Sequence, residues 1–335
     1  MTTVVTGGTG FVGGAVVRAL RSRGHQVRVL ARRTSRTEQL RALGVEIVYG
    51  DILDQASIEA ALDGCDTFFH VAALYDLWVP DKPAMLRTEV DGTRNALEAA
   101  RRSGVGKVVY TSSFLTIGPR RGELGTEATR RRDYCVTFYE RAKYAAEQVA
   151  QAYAAQGLPL VIVNPASVYG PGDLKPSGRA LIDVLNGRFP LLVRGAPYGI
   201  VHVDDVALGH ILAAERGRIG ERYILSERNI TPAAWYTAAC SLAGVSMPRL
   251  GPAFIVRLVA ELGELGARVT KRPPLISRDA FALVAHGDQV SGAKAARELG
   301  LQYTPLEAGL PATLAWYWEQ GLLRRPPACV RLAAA

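Results

Sequence analysis

The amino-acid sequence predicts an α/β fold, in which a doubly wound parallel β-sheet is followed by a smaller, irregular C-terminal lobe. Short apolar runs alternate with helical patterns along the first half of the chain, and this alternation is typical of a parallel sheet covered by helices on both faces. After Asn164 the pattern changes to turns rich in proline and glycine, such as NPASVYGPGD, and to shorter helices. We therefore expect a ligand cleft between two lobes, at the carboxyl ends of the strands.

The first unit consists of a strand, a glycine-rich turn and a helix. A β-prone run at 3–5 precedes the stretch TGGTGFVGG at 6–14, and apolar residues at helical spacing follow it. Gly7 can adopt a backbone geometry closed to other residues, Gly10 lets a pyrophosphate approach, and Gly13 lets the helix pack close to the strand. Free amides at the helix N-terminus would face the phosphates. The turn predicts a Rossmann-type dinucleotide site that includes Gly7, Thr9, Gly10, Phe11 and Val12; an ordinary glycine turn is the alternative.

Further strands and helices complete the predicted sheet. Apolar runs lie at 27–30, 45–49, 67–71, 107–111 and 160–163. The helices before the fifth and sixth strands are VDGTRNALEAARRSG and FYERAKYAAEQVAQAYAAQG. We expect residues 1–165 to form an NAD(P)-binding domain of ordinary size and residues 166–335 to form a substrate-binding lobe. Within that lobe, residues 200–226 regain strand and helix patterns and are expected to return to the first domain.

The composition is that of an ordinary globular protein. Of the 335 residues, 48% are hydrophobic and 21% are charged, and 40 basic against 31 acidic residues give a net charge of +9. Because the basic residues are dispersed, we expect no nucleic-acid partner. The four cysteines lie far apart without a CxxC pair, which predicts neither a metal site nor a disulfide framework. With no signal peptide and no apolar run near ~18 residues, we expect a cytoplasmic protein without an integral membrane segment.

A tyrosine and a lysine on one predicted helix face indicate chemistry. Tyr139 and Lys143, in YERAK, are four positions apart, so their side chains project together. A nearby ammonium group favours the ionised phenol, so we expect a lowered pKa for Tyr139 and proton exchange with a substrate oxygen. In YTSSF, at the end of the fifth strand, Ser113 or the adjacent Ser112 could hydrogen-bond the same oxygen. Each feature alone also fits a surface pair or a strand end, but their order along the chain favours a catalytic set.

Together these motifs resemble the extended branch of the short-chain dehydrogenase/reductase superfamily. The resemblance includes TGGTGFVG, YGDILD at 49–54, HVAA at 70–73, YTSS, YERAK, NPASVYGPGD and VHVDDVA. Within that branch, HVAALYDLWVPD, DLKPSGRALIDVLNG and ERGRIGERYIL are most similar to the hopanoid-associated sugar epimerases and the dihydroflavonol 4-reductase-like proteins. The resemblance implies a nicotinamide cofactor and a catalytic set of Ser113, Tyr139 and Lys143. It departs at Ala142, where the family often has Ser or Thr.

The resemblance also implies the other cofactor contacts and an assembly. Lys143 would bind the nicotinamide ribose, and Asp51, at a strand end, would contact the adenine region. The further cofactor residues expected are Ile52, Val71, Ala72, Ala73, Thr111, Tyr139, Asn164, Pro165, Ala166 and Val168. In this superfamily the helices that precede the fifth and sixth strands often pair across a two-fold axis. We expect alanine-rich outer faces on both helices here, and therefore a homodimer.

The end of the second strand indicates which nicotinamide cofactor is bound. NAD enzymes usually place an acidic residue there, whereas VRVLARRTSR has Ala31 at this position, followed by Arg32, Arg33 and Arg36. Because an arginine fork suits a 2′-phosphate, NADP(H) is favoured, with contacts from Arg32 and Arg36. A solvated basic loop is the alternative, and NAD(H) then remains open.

The substrate can be predicted only as a class. Tyr75 and Trp78 follow the fourth strand on the cleft side and, with Ser113 and Phe114, could line an apolar or ring-shaped molecule; the loop at 75–78 could equally pack on its own domain. We expect an NADP-dependent oxidoreductase that reduces a ketone or aldehyde, or oxidises the alcohol. A nucleotide-sugar epimerase or dehydratase is the alternative that the resemblance favours. A non-catalytic dinucleotide sensor is a third, although such proteins typically lack the Tyr or the Lys.

Two further features have structural interpretations first. His202, in VHVDDVA, is expected to be a structural residue, since Tyr139 already supplies the acid. The segment AFIVRLVAELGELGARV is apolar on one helical face, and such a face usually belongs to the core or to a subunit contact. Contact with a membrane surface or a lipid substrate is the less favoured interpretation.

Overall fold

A computed structural model describes residues 2–189, 191–270 and 272–333 of the chain. Its strands are β1 (Thr2–Thr6), β2 (Gln26–Ala31), β3 (Glu46–Tyr49), β4 (Thr67–His70), β5 (Lys107–Thr111), β6 (Leu124–Gly125), β7 (Leu160–Pro165), β8 (Ser167–Tyr169), β9 (Leu191–Leu192), β10 (Tyr198–His202), β11 (Arg222–Leu225), β12 (Arg228–Ile230), β13 (Arg249–Leu250) and β14 (Gln289–Val290). The helices are α1 (Phe11–Ser22), α2 (Glu38–Ala42), α3 (Gln55–Leu62), α4 (Lys82–Leu86), α5 (Gly92–Arg102), α6 (Phe138–Ala155), α7 (Pro176–Leu185), α8 (Val203–Arg216), α9 (Pro232–Ala243), α10 (Ala253–Thr270), α11 (Arg278–His286), α12 (Leu306–Glu319) and α13 (Ala328–Ala333).

Within these residues, seven strands form one parallel sheet in the order β11-β7-β5-β4-β1-β2-β3. The direction of winding reverses between β1 and β4, and ligands of such sheets bind at this switch point. The strands expected from the apolar runs are all present, with ends shifted by at most two residues. The predicted fold class, a doubly wound parallel sheet of Rossmann type, is therefore confirmed.

Neighbouring residues of the central strands point to opposite faces of the sheet. Val4 and Phe68 pack with helices α3, α5 and α6, whereas Val5 and Phe69 pack with helices α1 and α8 on the other side. This is the period of two that a strand imposes. Because both faces are covered by helices, most residues of the central strands are buried, including polar ones such as Thr6 and His70.

The C-terminal lobe has its own core and its own small sheet. Strand β10 pairs with β8 in parallel and with β12 in antiparallel orientation. Helices α7, α9 and α12 pack around Trp235, Leu314 and Tyr317. Of the stretch 200–226, α8 packs on α1 and β11 joins the main sheet beside β7, whereas β10 belongs to the small sheet. A division of the chain at residue 165 stays a prediction.

The alanines of helix α5 face the protein interior and not its outer surface, contrary to the expectation from the sequence. Ala96, Ala99 and Ala100 are fully buried against the sheet and its neighbouring helices, because small side chains are needed where these elements pack closely. The outer face of α5 instead carries ion pairs from Glu98 to Arg101 and Arg102. The expectation of an alanine-rich outer face was wrong for this helix.

None of the helices that the structure describes is long and apolar enough to cross a lipid bilayer.

Candidate active site

The glycine-rich turn adopts the geometry that a dinucleotide requires. Gly7 has a φ of +72°, and a Cβ there would lie 2.7 Å from the backbone nitrogen of Ala72, on the segment after β4. A Cβ at Gly13 would overlap the carbonyl of Gly7. Helix α1 then begins at Phe11, with Gly10 as its N-cap and no acidic side chain in its first turn. The free amides and the positive end of the helix dipole therefore suit a pyrophosphate.

The ends of β2 and β3 form a concavity of about 390 Å³ with two arginines and two aspartates, which is lined by Arg32, Arg33, Thr34, Tyr49, Gly50, Asp51 and Asp54. The guanidinium carbon of Arg33 lies 5.3 Å from the centre of the Tyr49 ring. Arg32 and Arg36 are exposed, and no ion pair among the described residues includes either of them. The carboxylate of Asp51 accepts a hydrogen bond from the backbone N–H of Leu53 at 3.0 Å. These groups could hold the adenosine end of a dinucleotide.

The other expected cofactor residues lie at or after the carboxyl ends of neighbouring strands. Val71, Ala72 and Ala73 follow β4, and the N–H groups of Val71 and Ala72 both donate to Thr6 Oγ1 at 3.2 Å. Thr111 ends β5, and the hydroxyl of Thr111 lies 2.8 Å from Nε2 of a buried histidine. The remaining ones stand on or after β3 and β7, namely Ile52, Asn164, Pro165, Ala166 and Val168.

Tyr139 and Lys143 occupy the first two turns of α6, as their spacing predicts. Thr137 caps this helix by accepting a hydrogen bond from the N–H of Glu140 at 3.0 Å, and Tyr139 therefore stands at a fixed position at the helix start. Lys143 Nζ donates to the carbonyl of Thr111 at 3.0 Å. Helix α6 and the end of β5 thus place the phenol and the ammonium group at the sheet edge where the glycine turn lies.

The structure distinguishes the two adjacent serines. The hydroxyl of Ser112 donates to the buried carboxylate of Glu147, which also accepts from Thr116 at 2.6 Å and from Asn164 at 2.7 Å. The hydroxyl of Ser113 instead accepts from the N–H of Leu115 at 3.3 Å and has a small lowering influence on the pKa of Tyr139, which burial raises overall. Ser112 is therefore part of a structural network, and Ser113 is the serine beside the expected proton donor.

Glu89 is a site residue that the sequence reasoning missed. It lies on a π-helical turn (Arg87–Asp91) before α5, and its Oε2 is 3.2 Å from Lys143 Nζ, with both side chains 1% exposed. Its Oε1 accepts from the N–H of Leu74 at 2.6 Å. The one signal in the sequence is its helical spacing. Glu89 is four residues from Met85 and four from Thr93, which are both buried, so it lies on the buried face of the same helical segment.

Burial reverses the expected pKa of Tyr139. Burial raises the pKa of Tyr139 above its usual value; Lys143 lowers it, but Glu89 raises it again. Burial also lowers the pKa of Lys143, but Glu89 and the neighbouring phenols outweigh this effect and raise it overall. The expected fall in the Tyr139 pKa is therefore wrong for the protein without ligand. The site holds a neutral phenol next to a charged ammonium group, an arrangement that can donate a proton.

Aromatic and polar groups lie where the sequence predicted the substrate. The rings of Tyr75 and Tyr139 meet edge to face at 5.0 Å, and Trp78 is half-buried on the same loop. Phe114 is 6% exposed and belongs mainly to the core. Asp173 is a second residue that was not predicted from the sequence. Its negative charge contributes to the raised pKa of Tyr75, which is due mainly to burial. Burial also raises the pKa of the Asp173 carboxyl to about 6.

Elements of the C-terminal lobe fix this side of the site. The hydroxyl of Ser277 donates to the carbonyl of Leu77, and Asp279 accepts from the N–H of Phe138 at 2.9 Å. The start of α11 thereby holds both the loop at 74–79 and the start of α6. His202 caps α8, since its Nδ1 accepts from the N–H of Asp204 at 3.4 Å, in keeping with a structural residue.

Comparison with known proteins identifies the family. The sequence model of the NAD dependent epimerase/dehydratase family matches residues 3–226. The chain is 35% identical to a putative dihydroflavonol 4-reductase from Synechocystis sp. over 96% of its length and 95% of the relative. It is also 35% identical to sterol demethylase protein B from Methylococcus capsulatus, over 96% of the chain and 100% of the relative.

Solved structures share the fold. A nucleoside-diphosphate-sugar epimerase from Pseudomonas aeruginosa superposes with a TM-score of 0.80 at 27% identity, covering 97% of this chain and 99% of that one. These matches confirm the family resemblance of the sequence motifs. The chain belongs to the NAD dependent epimerase/dehydratase family, within the extended short-chain dehydrogenases/reductases, and is an NAD(P)-dependent oxidoreductase.

Proposed function

We propose that the protein is an NADP(H)-dependent carbonyl reductase for an apolar or ring-shaped small molecule, or oxidises the corresponding alcohol. The observation that carries the proposal is one buried cluster, in which the neutral phenol of Tyr139 lies beside Ser113, with the ammonium group of Lys143 one helical turn away. A neutral phenol held in this way is a general acid for a carbonyl oxygen that gains negative charge. Ser113, Tyr139 and Lys143 form the proposed catalytic set.

Each residue has a distinct role in this proposal. A nicotinamide held in this site would supply or accept the hydride at the substrate carbon. Ser113 donates a hydrogen bond to the substrate oxygen, and Tyr139 passes its phenolic proton to the same oxygen during reduction and takes it back during oxidation. Lys143 stabilises the phenolate that Tyr139 becomes after it has donated its proton. It would also bind the ribose next to the nicotinamide. Glu89 and the carbonyl of Thr111 hold the ammonium group in place.

The cofactor site proposed here runs from the glycine turn to the concavity at the ends of β2 and β3. The pyrophosphate would lie on the amides after Gly7 and Gly10, and the 2′-phosphate would lie against Arg32, with Arg36 nearby. The unpaired guanidinium groups at the end of β2 support NADP(H) over NAD(H), because no carboxylate stands at Ala31 to accept the ribose hydroxyls. Residues 1–165 would thus bind the cofactor and residues 166–335 most of the substrate.

Two lines of support concern the substrate class. The aromatic edge of Tyr75 against Tyr139, with Trp78 on the same loop, gives the site an apolar wall. The names of the two relatives at 35% identity, a putative dihydroflavonol 4-reductase and sterol demethylase protein B, refer to molecules with fused rings. We infer a substrate of that general shape.

A nucleotide-sugar epimerase or dehydratase is the second candidate, favoured by the family model and by the epimerase from Pseudomonas aeruginosa. The two functions differ in whether reduced nicotinamide is consumed over a full turnover. An epimerase returns the hydride to its substrate and shows no net change in reduced nicotinamide, whereas a reductase consumes it.

The test is a substrate panel followed by the absorbance of reduced nicotinamide. Aldehydes, ketones, sterol-like alcohols and nucleotide sugars are each incubated with NADPH or NADP⁺, and with NADH or NAD⁺. Net oxidation of NADPH by an apolar ketone, or net reduction of NADP⁺ by its alcohol, is the expected result. Conversion of a nucleotide sugar without net cofactor change would replace the proposal by the second candidate.

We also propose a homodimer in which α6 supplies most of the contact. The outer face of α6 carries the partly exposed Ala145 and Val149 and the exposed Ala152, whereas that of α5 is charged. Light scattering at micromolar concentration should give twice the 36.0 kDa of one chain. A mass of one chain would contradict this assembly.

A further inference from the structure

Helix α10 turns an apolar face toward solvent. Five large side chains on it are exposed by 50% or more: Phe254 by 72%, Leu258 by 54%, Leu262 by 58%, Leu265 by 50% and Val269 by 84%. Their spacings of four, four, three and four residues place them on a single stripe along the helix. Single exposed apolar residues are ordinary, but a contiguous stripe of this length marks an interaction surface.

The inner face of the same helix accounts for its packing within the chain. Val256, Ala260 and Ala267 are buried, and α10 packs against α11. The exposed stripe lies on the opposite side of the helix from these residues at 100° per residue. The protein core therefore does not use the stripe, and its exposure is not explained by packing.

The charges around the stripe identify the kind of partner. Between Arg249 and Arg278 the sequence has six basic residues and two acidic ones, Glu261 and Glu264. Both acids are already paired, Glu261 with Arg257 at 3.0 Å and Glu264 with Arg278 at 3.6 Å. Of the basic residues that remain, Arg268 lies in the last turn of α10, and Arg249 and Arg272 lie before its start and after its end; all three are exposed.

An apolar stripe with exposed arginines near both ends of its helix complements the surface of an anionic bilayer. A second copy of this chain would bring the same positive charges against these arginines, which opposes a symmetric contact. Anionic headgroups neutralise the arginines, while the apolar side chains enter the boundary between headgroups and acyl chains. We propose that α10 docks the protein on the surface of membranes that contain anionic lipid.

The position of α10 connects this surface to the active site. Helix α11, which packs against α10, holds the carbonyl of Leu77 and the start of α6 through Ser277 and Asp279. Only α11 therefore lies between the docking helix and the loop at 74–79 in this series of contacts. The docking inference does not depend on the proposed reaction and can be tested without a substrate.

The test is co-sedimentation with vesicles of phosphatidylcholine, with and without phosphatidylserine. The parent protein should sediment with the anionic vesicles, and less so at high salt. The double variant L258E/L262E should lose at least about tenfold in binding, because charged side chains at this boundary are costly. Arg268→Gln and Arg272→Gln should each reduce binding to anionic vesicles by about fivefold. Ile219→Glu is the matched control, since Ile219 is also 58% exposed but lies far along the chain, before β11; its binding should equal that of the parent.

Circular dichroism and NADPH binding should be unchanged in all four variants, since each substitution lies at the surface. The proposal is overturned if the parent fails to bind anionic vesicles, or if L258E/L262E binds them as the parent does. It is also overturned if L258E/L262E changes the mass measured by light scattering without vesicles, since the stripe would then be a subunit interface.

Discussion

Replacing Glu89 by glutamine should lower the pH at which the Tyr139–Lys143 pair loses its first proton. The carboxylate lies 3.2 Å from Lys143 Nζ in a site where both side chains are 1% exposed. Its negative charge raises the pKa of Lys143 and that of Tyr139. Removing that charge therefore makes the first proton of the Tyr139–Lys143 pair easier to lose. The two groups interact strongly, so the measured pKa belongs to the pair and not to one residue.

The distance in the structure sets the size of the effect. At 3.2 Å and an effective dielectric constant of ~20, the attraction between carboxylate and ammonium is about 5 kcal/mol. One pKa unit corresponds to about 1.36 kcal/mol, so even a quarter of this interaction moves the apparent pKa down by about one unit. Glutamine keeps an oxygen that can accept from the N–H of Leu74, so the variant should fold.

The assay is the pH dependence of kcat/KM for alcohol oxidation with the best substrate of the panel. The ascending limb of the profile should move to lower pH by about one unit or more in Glu89→Gln. Glu98→Gln is the control, because Glu98 makes its ion pairs on the outer face of α5; its profile should match the parent. An unshifted profile in a folded Glu89→Gln enzyme would refute the role assigned to this carboxylate.

Three further predictions concern single side chains. Arg32→Ala should weaken NADPH binding by about 1 to 3 kcal/mol and leave NADH binding nearly unchanged in fluorescence titrations; equal losses would remove the 2′-phosphate contact. Lys143→Ala should raise the pH optimum and weaken cofactor binding together, because it removes the cation that lowers the Tyr139 pKa; a change in only one of the two would contradict the double role. Burial raises the pKa of Asp173 from 3.8 to about 6, so the folded state binds this proton more tightly than the unfolded state. Stability from urea unfolding should therefore rise, relative to Asp173→Asn, as the pH falls from about 7 to about 4, by up to about 3 kcal/mol; parallel pH profiles for the two proteins would contradict it.

The sheet could be predicted because its signals are local. Alternating apolar runs and helical patterns determine which residues form strands, and Gly7 needs its positive φ whatever the rest of the chain does. The spacing of Tyr139 and Lys143 likewise follows from helix geometry alone. Such local signals give the order of the elements along the chain. They could not show that β10 belongs to a separate sheet, because that depends on its pairing with β8 and β12.

The electrostatics of the site depend on contacts that no local pattern contains. Glu89 and Lys143 are 54 positions apart and meet only because α5 and α6 pack side by side. Burial likewise decides the pKa of Tyr139, and it is known only once the lobes are in place. The sequence predicted an apolar helical face at 253–269, but whether that face belongs to the core or to the surface depends on what packs against it.

The most direct test of the account is turnover by Tyr139→Phe with the best substrate of the panel. Phenylalanine keeps the ring that packs against Tyr75 and removes the hydroxyl that passes a proton to the substrate oxygen. The variant should fold and bind NADPH as the parent does, while kcat falls by roughly 10²- to 10⁴-fold, the loss expected for a general acid. Turnover at near the parental rate with cofactor affinity intact would show that the chemistry lies elsewhere in the protein.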